Sequence, residues 1–370
     1  MTMLIMLLAV GCLAYANGAN DNFKGVATLF GSGTTDYQGA LAWATVTTLL
    51  GSLTAVVLAG QLLKAFSGKG LVDGDLVGSA DYAAAVALGA GLAVLFATRL
   101  GLPVSTTHGL IGALVGAGVA AGSPIRFSQL SGGFVTPLLI SPILAVLLTG
   151  VCYPAFRWIR SRLGITEETC LCAGRETLEV VAGSSYAAAL RRAEVLSVRI
   201  GDVVTCRKQY TGRLLGIEAA TALDRSHFLS AGAVSFARGL NDTPKIAALL
   251  LLAPQSSGLA SVALVGALIA AGGLTSARRV ATTMSNRITS MNHGQGFTAN
   301  LITGLIVIGA SRFGLPVSTT HVSCGSLFGI GVITRQAHWR VIGQVLLAWV
   351  TTLPLGAALG AVCYGLISAV

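Results

Sequence analysis

Long apolar stretches separated by short polar ones make up most of this chain, and each is long enough to cross about 30 Å of hydrocarbon as a helix. The predicted spans are 2–31 (interrupted at 17–24), 38–66, 82–121 (with a polar segment at 103–108), 132–158, 227–253 (interrupted at 238–245), 257–274, 297–333 and 341–367. The polar insert 159–225 lies between the first four and the last four. This pattern predicts an all-α polytopic membrane protein.

Two polar motifs each occur twice, in the same order. Residues 18–24 (GANDNFK) return as 239–245 (GLNDTPK), and residues 99–108 (RLGLPVSTTH) return as 312–321 (RFGLPVSTTH). Such self-similarity indicates an internal duplication. We therefore expect a first membrane repeat at 1–158, a central insert at 159–225 and a second repeat at 226–370.

Composition supports the membrane class and weakens other classes. Hydrophobic residues make up 54% of the 370 residues and charged residues only 10%, whereas soluble domains carry about 25% charged residues. The net charge of +10 comes from Lys and Arg in loops between apolar spans, which topology explains better than nucleic-acid binding. Among the seven cysteines, Cys170, Cys172 and Cys206 in the insert form a weak metal signal without a histidine at zinc spacing. No cofactor is predicted.

The positions of the basic residues predict the orientation. If the N-terminus lies outside, the insert and the linker with Arg278, Arg279 and Arg287 lie in the cytoplasm, and only Lys64, Lys69 and Arg126 lie outside. Both termini are then outside, and the two repeats have inverted topologies. Inverted repeats with interrupted helices are typical of alternating-access transporters, whose substrate binds near the midplane.

The PVSTTH segments indicate what is bound. Pro followed by Ser and Thr at a helix start offers free N–H groups, hydroxyls and the positive end of the helix dipole, which together suit an oxyanion. Each segment, with its two apolar arms, is predicted to form a re-entrant helical hairpin with its tip at membrane depth. Because Asp21 and Asp242 would repel a bare anion, a cation or a proton must lie between carboxylate and substrate, as in cotransport.

At these paired motifs the sequence resembles the inorganic phosphate transporter (PiT) family over both membrane halves. The resemblance implies cation-coupled, usually sodium-driven, symport of inorganic phosphate, an inverted-repeat fold with two hairpins, and commonly a homodimer; we expect the protein in the cell (inner) membrane. By motif position, it implies a phosphate site of Asp21, Asn22, Ser105, Thr106, Thr107, Asp242, Thr243, Ser318, Thr319 and Thr320. It implies sodium ligands at Asn20, Asp21, Asn241 and Asp242. The second motif departs from the family pattern at Leu240 and Pro244.

Several alternatives stay open at this point. The protein could be a proton-coupled sulfate permease of the same family, which would leave sodium in doubt. The two aspartates could serve only as ion-pair partners of Lys24 and Lys245, three residues further on. His108 and His321 are expected to pack rather than relay protons, and Arg99 and Arg312 to mark hairpin ends by snorkelling.

Two other function classes compete with a transporter. A membrane phosphatase would use Ser105 or Ser318 as its nucleophile, but two symmetric oxyanion sites suit one shared ligand better than one asymmetric catalytic centre. A channel needs a continuous pore, whereas broken helices suit an occluded site. We therefore expect no enzymatic activity. In the insert, 195–200 and 203–216 have short β-like runs around Gly201, consistent with a small hairpin or mini-domain, and an ordinary charged linker is the alternative.

Overall fold

The computed structural model describes residues 2–58, 60, 62, 66, 70–166, 168–181, 190–202, 215–250 and 258–369. The chain divides into two compact units, one made of Met1–Tyr153 with His227–Val370 and the other of Pro154–Ser226. The boundary between the two repeats themselves stays a prediction.

The helices follow the predicted apolar stretches. The first half of the chain contains α1 Thr2–Asp21, α2 Ala27–Gly31, α3 Tyr37–Leu58, α4 Gly74–Val77, α5 Ala80–Arg99, α6 Thr106–Ala120, α7 Phe127–Leu130, a π-helical turn Ser131–Val135 and α8 Thr136–Arg162. The second half contains α9 Ala219–Ala247, a 3₁₀ turn Ala248–Leu250, α10 Gly258–Ser276, α11 Arg278–Thr282, a π-helical turn Thr283–Arg287, α12 His293–Arg312, α13 Thr319–Thr334 and α14 Trp339–Ile367. Within the described ranges, six helical stretches are long and apolar enough to cross a membrane. The chain is an all-α polytopic membrane protein.

The two interruptions differ in position. α1 ends at Asp21 and α2 begins at Ala27, so the first break falls at the end of the GANDNFK motif. α9 instead stays α-helical through 238–245, although Pro244 lies within it, and changes to a 3₁₀ turn only after Ala247. Proline removes one hydrogen bond of the helix ladder and crowds the preceding turn. The second interruption therefore follows the motif. The prediction that it coincides with 238–245 is wrong.

Both predicted helical hairpins are present. α5 and α12 each end in a turn at a glycine with positive φ, Gly101 (φ 70°) and Gly314 (φ 68°), a conformation that side chains with a Cβ rarely adopt. The chain then runs extended to Ser105 or Ser318, whose Oγ accepts a hydrogen bond from the backbone N–H three residues later at 3.2 Å. These serines are the N-caps of α6 and α13.

Each hairpin packs against the last helix of the other repeat. A Cβ at Gly112 or Gly116 of α6 would overlap the backbone of α14. A Cβ at Gly325 or Gly329 of α13 would press on the backbone of α8. Small residues at four-residue spacing allow this close approach of helix backbones. The second arms of both hairpins are therefore held by helices from the opposite half of the chain.

The motif helices are exchanged in the same way. Gly18 of α1 lies against the carbonyl oxygen of Ile269 in α10, and Gly239 of α9 lies against that of Thr48 in α3. The two glycines occupy equivalent positions of the repeated motif. Each motif helix thus packs closely on a helix of the other repeat, which brings both motifs to the centre of the membrane unit.

The smaller unit contains an antiparallel sheet of β1 Thr169–Val181, β2 Leu190–Asp202 and β3 Leu215–Glu218, in the order β2-β1-β3. The predicted strand 195–200 lies in β2. Its predicted partner is wrong where it can be tested, because β3 pairs with β1 (Cys170 opposite Glu218) and not with β2. The rest of that partner, residues 203–214 with Cys206, lies outside the described residues.

Candidate functional site at the hairpin tips

The two carboxylates of the repeated motifs lie close together in the interior. Asp21 is 1% exposed and Asp242 is 4% exposed. The side-chain amide of Asn17 lies between them, with Nδ2 at 3.1 Å from Oδ2 of Asp21 and 3.4 Å from Oδ2 of Asp242. The fold therefore joins residues that are more than two hundred positions apart into one polar centre.

Lys24 holds the first motif to both hairpins. Its Nζ donates to Oδ1 of Asp21 and to Oδ1 of Asn20 (2.8 Å) in its own motif. It also donates to the carbonyl oxygen of Val104 (2.8 Å) in the first hairpin and to Oγ1 of Thr320 (2.6 Å) in the second. Asn20 in turn accepts from the backbone N–H of Val104 at 3.1 Å.

Lys245 makes the equivalent contacts in the second motif. Its Nζ donates to Oδ1 of Asp242 (3.4 Å), to the carbonyl oxygen of Val317 (2.9 Å) and to Oγ1 of Thr107 (2.9 Å). Thr107 belongs to the first hairpin, so this lysine also crosses to the opposite repeat. Both ion pairs that the sequence offered as an alternative role for the aspartates are present.

The hairpin hydroxyls face the carboxylates. Thr106 donates from Oγ1 to Oδ2 of Asp21 at 3.1 Å, and Thr319 donates from Oγ1 to Oδ2 of Asp242 at 3.5 Å. The two tips also contact each other, because Thr320 donates from Oγ1 to the carbonyl oxygen of Val104 at 2.8 Å. Two helix N-termini, those of α6 and α13, therefore begin at the same polar centre.

Some of the predicted site residues have other neighbours. The Oγ atoms of Ser105 and Ser318 cap their helices, as described above. Asn22 donates from Nδ2 to Oγ1 of Thr45 at 3.0 Å, and Thr243 shares a 2.7 Å hydrogen bond with Ser52. These last two contacts are with α3 and not with a hairpin tip.

The asparagines that precede the aspartates bind the first arms of the hairpins. Asn20 donates from Nδ2 to Oγ1 of Thr98 at 2.8 Å, and Asn241 accepts from Oγ of Ser311 at 3.4 Å. Asn241 also donates to Oδ1 of Asp242 at 3.0 Å. The predicted sodium ligands of both motifs thus lie beside a carboxylate and a lysine.

One charged side chain at this centre was not among the predicted site residues. Arg238 of α9 is 1% exposed and donates to Oδ1 of Asn17 (3.2 Å), Oδ1 of Asn22 (3.0 Å) and Oγ1 of Thr48 (3.3 Å). Its Nε has no hydrogen-bond acceptor in the described part of the chain. Aligning the two motifs on Gly18 and Gly239 places Arg238 opposite Asn17. This difference between the two copies is the sequence signal that could have revealed a buried charge in one repeat alone.

The two histidines directly follow the hairpin-tip threonines in sequence, and their rings contact each other. The rings of His108 and His321 meet edge to face with centroids 4.4 Å apart, and His321 stacks on Trp349 at 3.9 Å. Their Nδ1 atoms lie near the carbonyl oxygens of Trp349 (3.1 Å) and Leu138 (3.4 Å), respectively. Such contacts suit the packing role that the sequence favoured. Arg99 and Arg312 are exposed at the ends of α5 and α12.

The charges of this centre favour an anion. Among the buried side chains described here, Lys24, Lys245 and Arg238 exceed the two carboxylates by one positive charge. The N-termini of α6 and α13 add partial positive charge and hydroxyl donors at the same place. The net positive charge and the two helix N-termini together suit an oxyanion.

Comparison with known proteins now identifies the family. The sequence profile described as "Phosphate transporter family" matches residues 17–360, which include both motifs and both hairpins. The chain belongs to the phosphate transporter family. This confirms the resemblance noted in the sequence, since the paired motifs carried it.

Relatives in the phosphate transporter family align along nearly the whole chain. A protein of Pyrococcus abyssi, named as a phosphate permease, is 26% identical over 406 residues, covering 98% of this chain and 97% of the relative. A Mycobacterium bovis protein, named as a low-affinity inorganic phosphate transporter, is 26% identical over 380 residues, covering 98% and 78%. A solved structure described as "The sodium-dependent phosphate transporter" superimposes with a TM-score of 0.74 at 20% identity, covering 100% and 99% of the two chains. This likeness shows a shared fold.

Membership in the phosphate transporter family bears on the competing function classes. A transporter family is consistent with the expectation that the chain is not an enzyme. The serine that a phosphatase would use as nucleophile is, in both hairpins, the N-cap of a helix.

Proposed function

We propose that this protein transports inorganic phosphate by cation-coupled symport, with alternating access to a central site. The observation that carries the proposal is the single excess positive charge of Lys24, Lys245 and Arg238 over Asp21 and Asp242, buried where two helix N-termini meet. A buried excess charge is costly unless it has a counter-ion. A bound phosphate is the counter-ion that this arrangement fits.

The proposed phosphate ligands are the residues predicted from the motifs, and Arg238 adds positive charge near them. Thr106, Thr107, Thr319 and Thr320 lie at the hairpin tips and have hydroxyls that both donate and accept. Protonated phosphate has donors that sulfate lacks, so carboxylate and hydroxyl oxygens nearby favour phosphate. The names of the Pyrococcus and Mycobacterium relatives support the same substrate. A proton-coupled sulfate permease remains the alternative that the test must exclude.

The coupling ion of this proposal is sodium or a proton. Sodium is supported by the fold shared with the sodium-dependent transporter and by the oxygen-bearing side chains of Asn20, Asp21, Asn241 and Asp242. A proton is the other candidate, because it needs no shell of oxygen ligands.

We further propose a cellular location, an orientation in the membrane and an oligomeric state. The protein lies in the cell membrane with both termini outside and the insert in the cytoplasm, because that orientation leaves most Lys and Arg residues inside. It works as a homodimer, as the family resemblance implies.

The test is uptake of radiolabelled phosphate into proteoliposomes that contain the purified protein. We expect saturable uptake that is inhibited only weakly by about tenfold excess sulfate, because sulfate lacks the protons that phosphate donates. Equal inhibition by unlabelled sulfate and phosphate would assign the protein to sulfate transport. No uptake of either anion would refute the proposal.

A further inference from the structure

The ammonium group of Lys24 lies in a cage of oxygen atoms. Four oxygens are its hydrogen-bond partners, and they come from a carboxylate (Asp21), a side-chain amide (Asn20), a backbone carbonyl (Val104) and a hydroxyl (Thr320). The side chain of Lys24 is buried, at 2% exposure. The cage is built from three separate segments of the chain and encloses a single positive charge.

These four oxygens are ligands of the kind that bind hard metal cations. Carboxylates, amide and backbone carbonyls and hydroxyl oxygens bind such ions, and exposed carbonyls near helix breaks bind sodium in transporters. Asn20 and Asp21 are also half of the sodium ligands predicted from the motifs. The Nζ atom is within 2.8 Å of Asn20 and 2.6 Å of Thr320, so a sodium ion that used the same oxygens would have to displace it.

Lys245 repeats this arrangement in the second half of the chain. Its Nζ is bound by a carboxylate (Asp242), a backbone carbonyl (Val317) and a hydroxyl (Thr107). As with Lys24, the carbonyl comes from the hairpin of the same repeat and the hydroxyl from the hairpin of the other. The same kinds of oxygen surround the ammonium group in both halves. We infer that each lysine is a regular part of its cage.

The charge balance disfavours additional cations when the bound phosphate is monovalent. Each ammonium neutralises the aspartate beside it, and the remaining charge of Arg238 is left for the anion. Sodium ions added next to these three buried cations would be repelled, and a low-dielectric interior strengthens that repulsion. The cation that neutralises each carboxylate is therefore already attached to the chain.

We propose that Lys24 and Lys245 are tethered cations that occupy the places of coupling sodium ions, so that this protein moves phosphate without sodium. The inference rests on the proposed function, since it names the cations of that same site. Of the two coupling ions under consideration, it excludes sodium. Phosphate uptake is then coupled to protons.

The test compares sodium with choline in proteoliposomes. For the wild type we expect phosphate uptake in the two media to differ by less than about twofold, since an ion that does not bind shifts no equilibrium. Radiolabelled sodium should not enter together with phosphate. Sodium entry that requires phosphate, or uptake that is lost in choline, would overturn the inference, and this comparison needs no variant.

Two substitutions at one position sharpen the test. Lys24→Ala opens the oxygen cage and leaves room for an ion, whereas Lys24→Met fills the space with an uncharged chain of similar length. We expect Lys24→Ala to lose uptake in choline and to regain at least about tenfold in sodium, because sodium then compensates the buried carboxylate. Lys24→Met should stay inactive in both media. Arg340→Ala, at an exposed position of α14, is the control for loss of a positive charge.

The outcomes separate this inference from the proposed function. Equal uptake by Lys24→Ala and Lys24→Met in both media would overturn the role of the cage, provided that both variants elute as folded protein. If the variants do not fold, the sodium comparison on the wild type still decides. Absence of phosphate uptake by the wild type in both media would instead refute the proposed function and the inference with it.

Discussion

Arg238 is the residue whose replacement tests most directly whether the buried positive charge binds the anion. We consider Arg238→Met, which keeps much of the side-chain volume and removes the charge and three hydrogen bonds. Asn17 Oδ1 and Asn22 Oδ1 would each lose a charged donor that now lies at 3.2 Å and 3.0 Å. Hydrogen bonds to charged groups contribute about 1.5 to 3 kcal/mol each, so some loss of stability is expected as well.

The effect on phosphate binding follows from charge and distance. The amide of Asn17 contacts both the guanidinium group and the two carboxylates. We take an effective dielectric constant of about 20 and a distance of about 7 Å between the guanidinium group and the bound anion. One unit charge then contributes about 2 kcal/mol to the binding of a monovalent anion. This equals about 30-fold in affinity. Because the charge acts at a distance, Arg238→Lys should retain most of this contribution.

The assay is the half-saturation concentration for phosphate uptake in proteoliposomes. We expect it to rise by about 30-fold in Arg238→Met and by only a few-fold in Arg238→Lys. Thermal unfolding in detergent separates this effect from misfolding, and Arg340→Met serves as an exposed control. A folded Arg238→Met protein with the wild-type half-saturation concentration would show that the guanidinium group does not stabilise the bound anion.

Three further predictions concern the ion pairs, the packing and the orientation. Asp242→Asn leaves the Lys245 ammonium buried without a charged partner, which should cost about 3 to 5 kcal/mol of stability and reduce uptake at least about 100-fold. The exposed control Asp75→Asn should change neither, and unchanged uptake by Asp242→Asn would contradict the prediction. Gly116→Val would overlap the backbone of Ala357 and should lower stability by at least about 1 to 3 kcal/mol in thermal unfolding, whereas Gly365→Ala, which meets open space, should not. In a variant without native cysteines, Asp75→Cys should react with an impermeant maleimide from outside and Ser290→Cys should not; equal labelling would refute the inverted topology.

The membrane fold was largely predictable, because its strongest determinants are local. Apolar length set the spans, and the repeated PVSTTH segment placed both hairpins, whose serine caps and glycine turns depend on adjacent residues. The second interruption was misplaced because the polar motif 238–245 was expected to break the helix, whereas α9 stays helical through it to Ala247. β1 was missed because Arg175, Glu176 and Glu179 interrupt its apolar pattern.

The candidate site was predictable in composition but not in connectivity. Both Asn-Asp pairs and both threonine pairs were found from the sequence, since duplication singles them out. That Lys24 crosses to Thr320 and Lys245 to Thr107 depends on how the two halves pack, which no local pattern records. Arg238 was overlooked because it lies one residue before the repeated motif and has no basic counterpart at Asn17.

The exchange of partners between the two halves has a consequence for the origin of the molecule. Neither half contains a complete site, since α6 rests on α14, α13 rests on α8, and each lysine binds a hydroxyl of the other hairpin. An ancestor with one copy of the gene segment could have built this centre only by pairing two chains. In a single chain each copy can change independently, and the arginine found in one half alone is a difference that two identical chains could not have.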